Sequence, residues 1–205
     1  MIIDLSTQSA AQVYFSLIQT VIPRPIARVL SENATAGSFN LAPFSYFNAV
    51  CSDPPLIMVS IGRKPDGSFK DTKVNIEERP AFVIHLVDET TLDAMNASSA
   101  TLAYGESELA AAGLATTAFE GFSLPRPGPR QGRLRVPALP GDPVGATPQS
   151  LVLGQVERIF VDDSVVGEDG KGRAKVLAEK IRPLGRLGPN EYVTFGEIVR
   201  RVRPT

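Results

Sequence analysis

Short apolar runs closed off by turn residues constrain this chain more than any other feature. Leu56–Ile61 (LIMVSI) lies between a Pro-Pro pair and Gly62, and Ala81–Val87 (AFVIHLV) follows Pro80. Runs of this length with such boundaries read as buried strands. Ile26–Leu30 and Ser38–Ala42 flank the turn-rich SENATAG segment and predict a hairpin. Ser150–Val161 (SLVLGQVERIFV) predicts one long strand, with Gly154 marking a bulge or a close backbone approach. Tyr192–Val199 reads as a final strand. These strands do not alternate regularly with helices, which argues against a doubly wound sheet and for a mainly β barrel with accessory helices.

The helices are few. Ser9–Thr20 carries Val13, Phe15, Leu17 and Ile18 in an amphipathic pattern, and Pro23-Arg24-Pro25 stops it. Asp71–Glu78 reads as a helix with Asp71 or Thr72 near its N-cap and Pro80 beyond its end. Glu89–Ala97 and Ser107–Ala112 are two further helical patches, the second stopped by Gly113. Ser123–Pro148 holds seven prolines and four arginines and predicts a long irregular loop, functional or disordered, with crossing onto a partner subunit as one way to order it. The four arginines, at 126, 130, 133 and 135, either bind a pyrophosphate or a protein partner, or simply solvate the loop.

Length and charge set the broad class. A chain of 205 residues fits one domain, 1–205, with a sizeable core. Twenty-one Lys and Arg against 22 Asp and Glu leave no basic excess for nucleic acid or a membrane surface. The N-terminal MIIDLSTQSA has neither a basic start nor a long apolar run, which predicts a cytoplasmic protein without a secretory signal. One cysteine, Cys51, rules out an intrachain disulfide and reads as a buried, inert thiol. One histidine, His85, sits mid-strand and reads as a buried, hydrogen-bonded residue rather than a metal ligand or base. No metal site and no catalytic acid or base is expected.

Two segments carry chemistry. The first is Ser60-Ile61-Gly62-Arg63-Lys64 followed by Lys70-Asp71-Thr72 at the start of a helix. A helix N-terminus presents unpaired N–H groups and partial positive charge, and Lys70 and Thr72 add a cation and a hydroxyl, a set that suits a phosphate. The same residues also fit an ordinary capped surface helix. Asp71 would repel a phosphate, so it reads as a cap or as an acceptor for a ligand hydroxyl. The second segment, Pro43–Pro55 (PFSYFNAVCSDPP), mixes aromatic and polar residues. Asn48 can donate and accept along the carbonyl and imide edge of a flavin, while Ala49 and Cys51 leave room for a flat ring. A loop packing its aromatics into the core is the other reading.

PRPIARVL, NLAPFSYFNAVCSDPPLIMVSIGRKPDG, KDTKVNI and RPLGRLG occur in this order over Val21–Tyr192. This run resembles the flavin reductase family, in the branch of the nitrilotriacetate monooxygenase reductase component. The resemblance implies a Greek-key split β-barrel with accessory helices, a homodimer, and FMN at the subunit interface. It implies reduction of that flavin by NADH or NADPH, often to supply a separate monooxygenase. Carried over by position, Asn48, Ala49, Val50 and Cys51 line the ring, with Ser45 in the same motif. Ser60, Gly62, Lys70, Asp71 and Thr72 match the ribityl and phosphate side. Arg186 and Tyr192 match a tail that approaches the flavin from the partner subunit. Two positions depart from the pattern. Arg28 stands where close relatives often carry tryptophan, and either meets an anion or faces solvent. Gln149 stands where shorter reductases carry a histidine.

The family leaves two further readings open beside a flavin reductase. One is an FMN-binding electron carrier without nicotinamide oxidation. The other is an interaction module that has lost the cofactor. In the reductase reading the cofactor performs the hydride chemistry, and the protein orients two rings.

Overall fold

Pairing of seven strands in the order β2-β1-β5-β6-β7-β4-β3 generates the sheet on which the rest of the chain is built. The computed structural model describes residues 1–128, 133–139, 147–201 and 204. The strands are β1 (Ala27–Glu32), β2 (Phe39–Phe44), β3 (Phe47–Ser52), β4 (Pro55–Ile61), β5 (Ala81–Leu86), β6 (Arg133–Leu139) and β7 (Ser150–Gln155), with a further strand, β8 (Arg158–Phe160), pairing with β6. Every neighbouring pair is antiparallel. The first and last strands of this order, β2 and β3, are joined by only Ser45 and Tyr46, so the sheet has to curl back on itself. The result is the mainly β barrel that the apolar runs predict.

The barrel interior is filled from alternate residues, as the two-residue strand period requires. Ala27 and Val29 of β1, Ile57, Val59 and Ile61 of β4, Phe82 and Ile84 of β5, and Val136 and Val152 pack with Phe44, Phe47 and Ile76. Strands β1 and β5 are buried on both faces, which is why their sequences are nearly continuous apolar runs. On the outer face Leu30, Leu41 and Val83 form a second core with Leu109, Phe119 and Leu124. Ile26 and Val87 form a third with Met95 and Leu184. Gly154 lies where a Cβ would overlap Val136 Cγ1 and come within 2.8 Å of Phe82 Cζ, so this glycine marks a close approach. The ladder's register shift lies elsewhere, between Ala49 and Cys51.

The helices are α1 (Ala10–Thr20), α2 (Asp71–Glu78), α3 (Leu92–Ala97), α4 (Glu108–Ala111) and α5 (Ala178–Ile181) among the described residues. Ser9 and Gln12 cap α1 reciprocally, giving it a fixed start. Helix α1 buries only Ile18 and leaves Tyr14, Phe15 and Leu17 exposed. The Glu89–Ala97 patch is a 3-10 turn at Glu89–Thr91 followed by α3, and Gly113 just beyond α4 takes φ 61°.

Several expected elements are corrected. Ser123–Pro148 is not a continuous irregular loop, because β6 runs through its middle and pairs with β5, β7 and β8. The signal was the alternation of Leu134, Val136 and Ala138 with arginine and proline, obscured by the prolines on either side. Arg126–Pro127 also forms a short ladder with Thr116–Thr117. Arg126 donates to Ala118 O and stacks over Phe160, which gives it a local structural role. Arg130 and the side chains of Arg133 and Arg135 lie outside the described residues. The predicted strand over 150–161 breaks into β7 and β8, and the final strand shortens to Tyr192–Val193. That last pair joins Gly185–Arg186 and Arg24–Pro25 in a small three-stranded sheet.

Candidate functional site

Three adjoining clefts run along the seam where β2 passes into β3. The first, about 90 Å³, lies between Lys64, Lys70, Asp71 and Thr72 on one side and Ser98–Leu102 and Glu108 on the other. The second, about 320 Å³, shares Pro43 and Lys70 with it and adds Phe44, Ser45 and Arg186. The third, about 370 Å³, shares Arg24 and Ser45 with the second and adds Tyr46, Asn48, Met58 and Ser60. Seven of the residues singled out from sequence therefore border this row of adjoining clefts, termed the channel: Ser45, Asn48, Ser60, Lys70, Asp71, Thr72 and Arg186.

The start of α2 sets the charge at one end. Lys70 is its N-cap residue and makes no side-chain cap, so the expectation of a cap from Asp71 or Thr72 is overturned. Asp71 is instead buried, ion-paired with Lys64, and accepts a hydrogen bond from Gly105 N at 3.0 Å. Its carboxylate thus already carries one ion pair and one hydrogen bond at the wall of the first cleft. Thr72 is buried, and its Oγ1 accepts from Asn40 Nδ2 at 2.8 Å, which leaves the hydroxyl proton available. Asn75 is held in the same polar layer, donating to Asn33 Oδ1 and Ser31 Oγ. Among the described residues Lys70 makes no ion pair; its ammonium lies 5.5 Å from the Phe44 ring. Burial, and then the neighbouring Lys64, hold its pKa below the usual lysine value.

Glu108 was missed in the sequence. It is buried at the far wall of the first cleft, and its Oε2 accepts from Leu41 N at 2.8 Å. Burial pushes its carboxyl upward, reinforced by Asp71 and opposed by the hydrogen bond from Leu41. Its only sequence signal was a position just after Ser107, the N-cap of a four-residue helix. Arg24 was also missed. Buried between two prolines, it donates to the carbonyls of Ile18, Val21 and Leu187, and so ties α1 and the tail to the seam between the clefts.

The ring-side residues sit on an exposed edge. Asn48, Ala49, Val50 and Cys51 lie in β3, where everything after Phe47 is exposed. Asn48 Oδ1 accepts from the backbone N–H of Ala49. Cys51 is exposed, not buried, because it lies on the outermost strand, and its Sγ is 3.0 Å from Pro54 O. Ala49, Val50, Cys51, Gly62 and Tyr192 do not line the three clefts. Tyr192 packs against the third core, and Arg186 hydrogen-bonds to its hydroxyl and lies over its ring, so this tail sits against its own chain.

Arg28 does not face solvent. It is only 5% exposed, on the outer face of β1 opposite Pro43 and His85, and burial pushes its pKa down to about 10 against the attraction of Asp88. His85 is buried as expected, with Nδ1 3.2 Å from Arg28 O. Among the described residues no cluster of three His, Cys, Asp or Glu side chains could hold a metal, and no helix is long and apolar enough to cross a membrane.

The model of the flavin reductase like domain matches residues 19–176, which span every cleft residue except Tyr14, Ile18 and Leu17 on α1 and the tail from Arg186. This chain belongs to that family. An uncharacterised protein of Halalkalibacterium halodurans is 39% identical over 94% of this chain and 91% of its own length. Nitrilotriacetate monooxygenase component B from Bacillus cereus superposes with a TM-score of 0.87 at 35% identity, covering 98% of both chains. A split barrel domain protein from Shewanella frigidimarina superposes with a TM-score of 0.82 at 19% identity over 98% of this chain and 96% of its own. The fold of this flavin reductase like protein is thus the split barrel. Membership places the channel in a family defined by flavin chemistry.

Proposed function

We propose that the channel holds FMN and that the chain is an NAD(P)H:flavin oxidoreductase. The observation that carries this reading is Lys70, a half-buried ammonium without an ion-pair partner among the described residues, set at the start of α2 beside the Thr72 hydroxyl. A cation withdrawn from water with no carboxylate beside it is a strained arrangement that an anion relieves, and a helix N-terminus is suited to a phosphate. The neighbouring Lys64 is committed to Asp71, so the phosphate falls to Lys70 and Thr72.

The other residues fit the rest of the cofactor. Ser60 and Gly62 flank the path of the ribityl chain. Ser45, Asn48, Ala49, Val50 and Cys51 flank the ring, with the polar groups of Asn48 suited to its pyrimidine edge. Bound flavin supplies the acceptor for hydride from NADH or NADPH. The chain orients the two rings and shields them from water. His85 lines none of the clefts, which suits a reaction whose chemistry belongs to the cofactor.

A homodimer completes the ring side of this reading. Ala49–Cys51 lie on an open edge strand, and α1 exposes Tyr14, Phe15 and Leu17 beside it, with Val21 and Ile22 following. An apolar surface next to an unpaired strand edge is a natural place for a second copy, whose tail residues Arg186 and Tyr192 then belong to the composite site. The Bacillus cereus component B supports a separate monooxygenase as the acceptor of reduced flavin, in the cytoplasm. The deciding experiment adds FMN to purified protein and follows oxidation of NADH and of NADPH. Oxidation of either supports the reductase. Flavin uptake without oxidation of either overturns it and leaves an FMN-binding carrier.

A further inference from the structure

Gln149 has no role in the reading above and lines none of the three clefts, yet its side chain holds Ser60, which borders the third. The β4–β7 ladder pairs Ser60 with Leu151 and Ile61 with Ser150, so Gln149 falls opposite Gly62. Gly62 leaves the Gln149 amide room to lie close by: a Cβ there would stand 3.3 Å from Nε2 and 3.5 Å from Oε1. From there it reaches the diagonal neighbour, and Ser60 Oγ donates to Gln149 Oε1 at 3.2 Å. The Ser60 proton is consumed by this bond, so the hydroxyl offers the channel only its lone pairs.

We propose that Gln149 is a positioning residue that fixes Ser60 as a hydrogen-bond acceptor, so that this stretch of the channel takes a hydroxyl of the ribityl chain and not an anion. The assignment rests on the flavin-binding reading and gives the bound cofactor a polarity. The donor-rich chain lies by Ser60, and the phosphate lies by Lys70, whose ammonium has no acceptor role. Gly62 contributes by leaving the amide uncrowded, since a Cβ there would press on Gln149 Nε2 at 3.3 Å.

The test is a fluorescence titration of wild type and variants with FMN, riboflavin and lumiflavin, the last having the ring without the ribityl chain. Gln149→Leu and Ser60→Ala each weaken FMN and riboflavin by about 3- to 10-fold, as expected for one neutral hydrogen bond. Both leave lumiflavin unchanged, and the double variant is no weaker than Ser60→Ala. Gln149→Glu, which at pH 8 can only accept, keeps the wild-type affinity for riboflavin and also shows that position 149 tolerates change. Equal losses for lumiflavin, additive losses in the double variant, or a Gln149→Glu loss as large as that of Gln149→Leu each overturn the assignment. If wild type binds none of the three flavins, the flavin-binding reading itself falls.

Discussion

Replacing Lys70 by methionine tests the proposed placement of the FMN phosphate apart from that of the ring. The side chain keeps nearly its length but loses its charge, and with it the ammonium's approach to the Phe44 ring at 5.5 Å. Two opposite unit charges about 4 Å apart attract by about 4 kcal/mol at an effective dielectric of about 20, which sets the ceiling. A charge-assisted hydrogen bond contributes a net of about 1.5–3 kcal/mol once lost hydration is counted. Lys70 is half-buried, so part of its hydration is already lost before any ligand arrives, the same burial that holds its pKa below the usual lysine value. No existing ion pair has to be broken either, so the upper part of that range applies. The expected loss for FMN is therefore about 2–3 kcal/mol, or about 30- to 150-fold in Kd. Riboflavin, which lacks the phosphate, should bind wild type and Lys70→Met alike. Paired fluorescence titrations measure both constants, and the FMN advantage of wild type should shrink as salt is raised. Equal weakening of FMN and riboflavin, or no weakening of FMN, would refute the placement of the phosphate.

Two further outcomes test the frame around the channel. Gly154→Ala should destabilise the protein by about 1–3 kcal/mol, because the new Cβ overlaps Val136 and crowds Phe82 in the barrel interior; thermal denaturation reads it, and an unchanged Tm would mean that these side chains repack freely. Glu108→Gln should raise the Tm at neutral pH, since the amide still accepts from Leu41 N but carries no buried charge. Glu108's folded pKa lies above its unfolded value, so the unfolded state releases the proton first and wild-type stability falls as pH rises through that window. The variant's advantage should therefore be full above the folded pKa and vanish below the ordinary carboxylate range.

The barrel was legible where one physical signal acted alone. Leu56–Ile61 and Ala81–Val87 are apolar because their strands are covered, and their ends carry proline or glycine, so existence and bounds agree closely with β4 and β5. Strand β6 was missed because two signals conflicted. Its Leu134, Val136 and Ala138 follow the strand period, but Pro137 removes a ladder donor and the flanking prolines read as loop. Ladder contacts with β5 and β7 decide the matter, and those partners are far away in sequence. The same holds at the ends of the long apolar run from 150, where pairing moves from β4 to β6 and the strand divides.

In the site, residue types with a single use were readable and those whose use depends on a neighbour were not. Lys70 and Thr72 at a helix start suggest an anion whatever surrounds them. Asp71 beside them looks the same in sequence whether it caps, binds or is neutralised, and only Lys64 and the Gly105 amide settle that it is neutralised. That pairing matters for the ligand. With its charge paired by Lys64, the carboxylate repels an incoming phosphate far less than a bare one would, and Lys64 is no longer free to compete with Lys70 for it. An acidic residue that argues against a phosphate in the sequence is thus compatible, through one ion pair, with the proposed placement of a phosphate at Lys70 and Thr72.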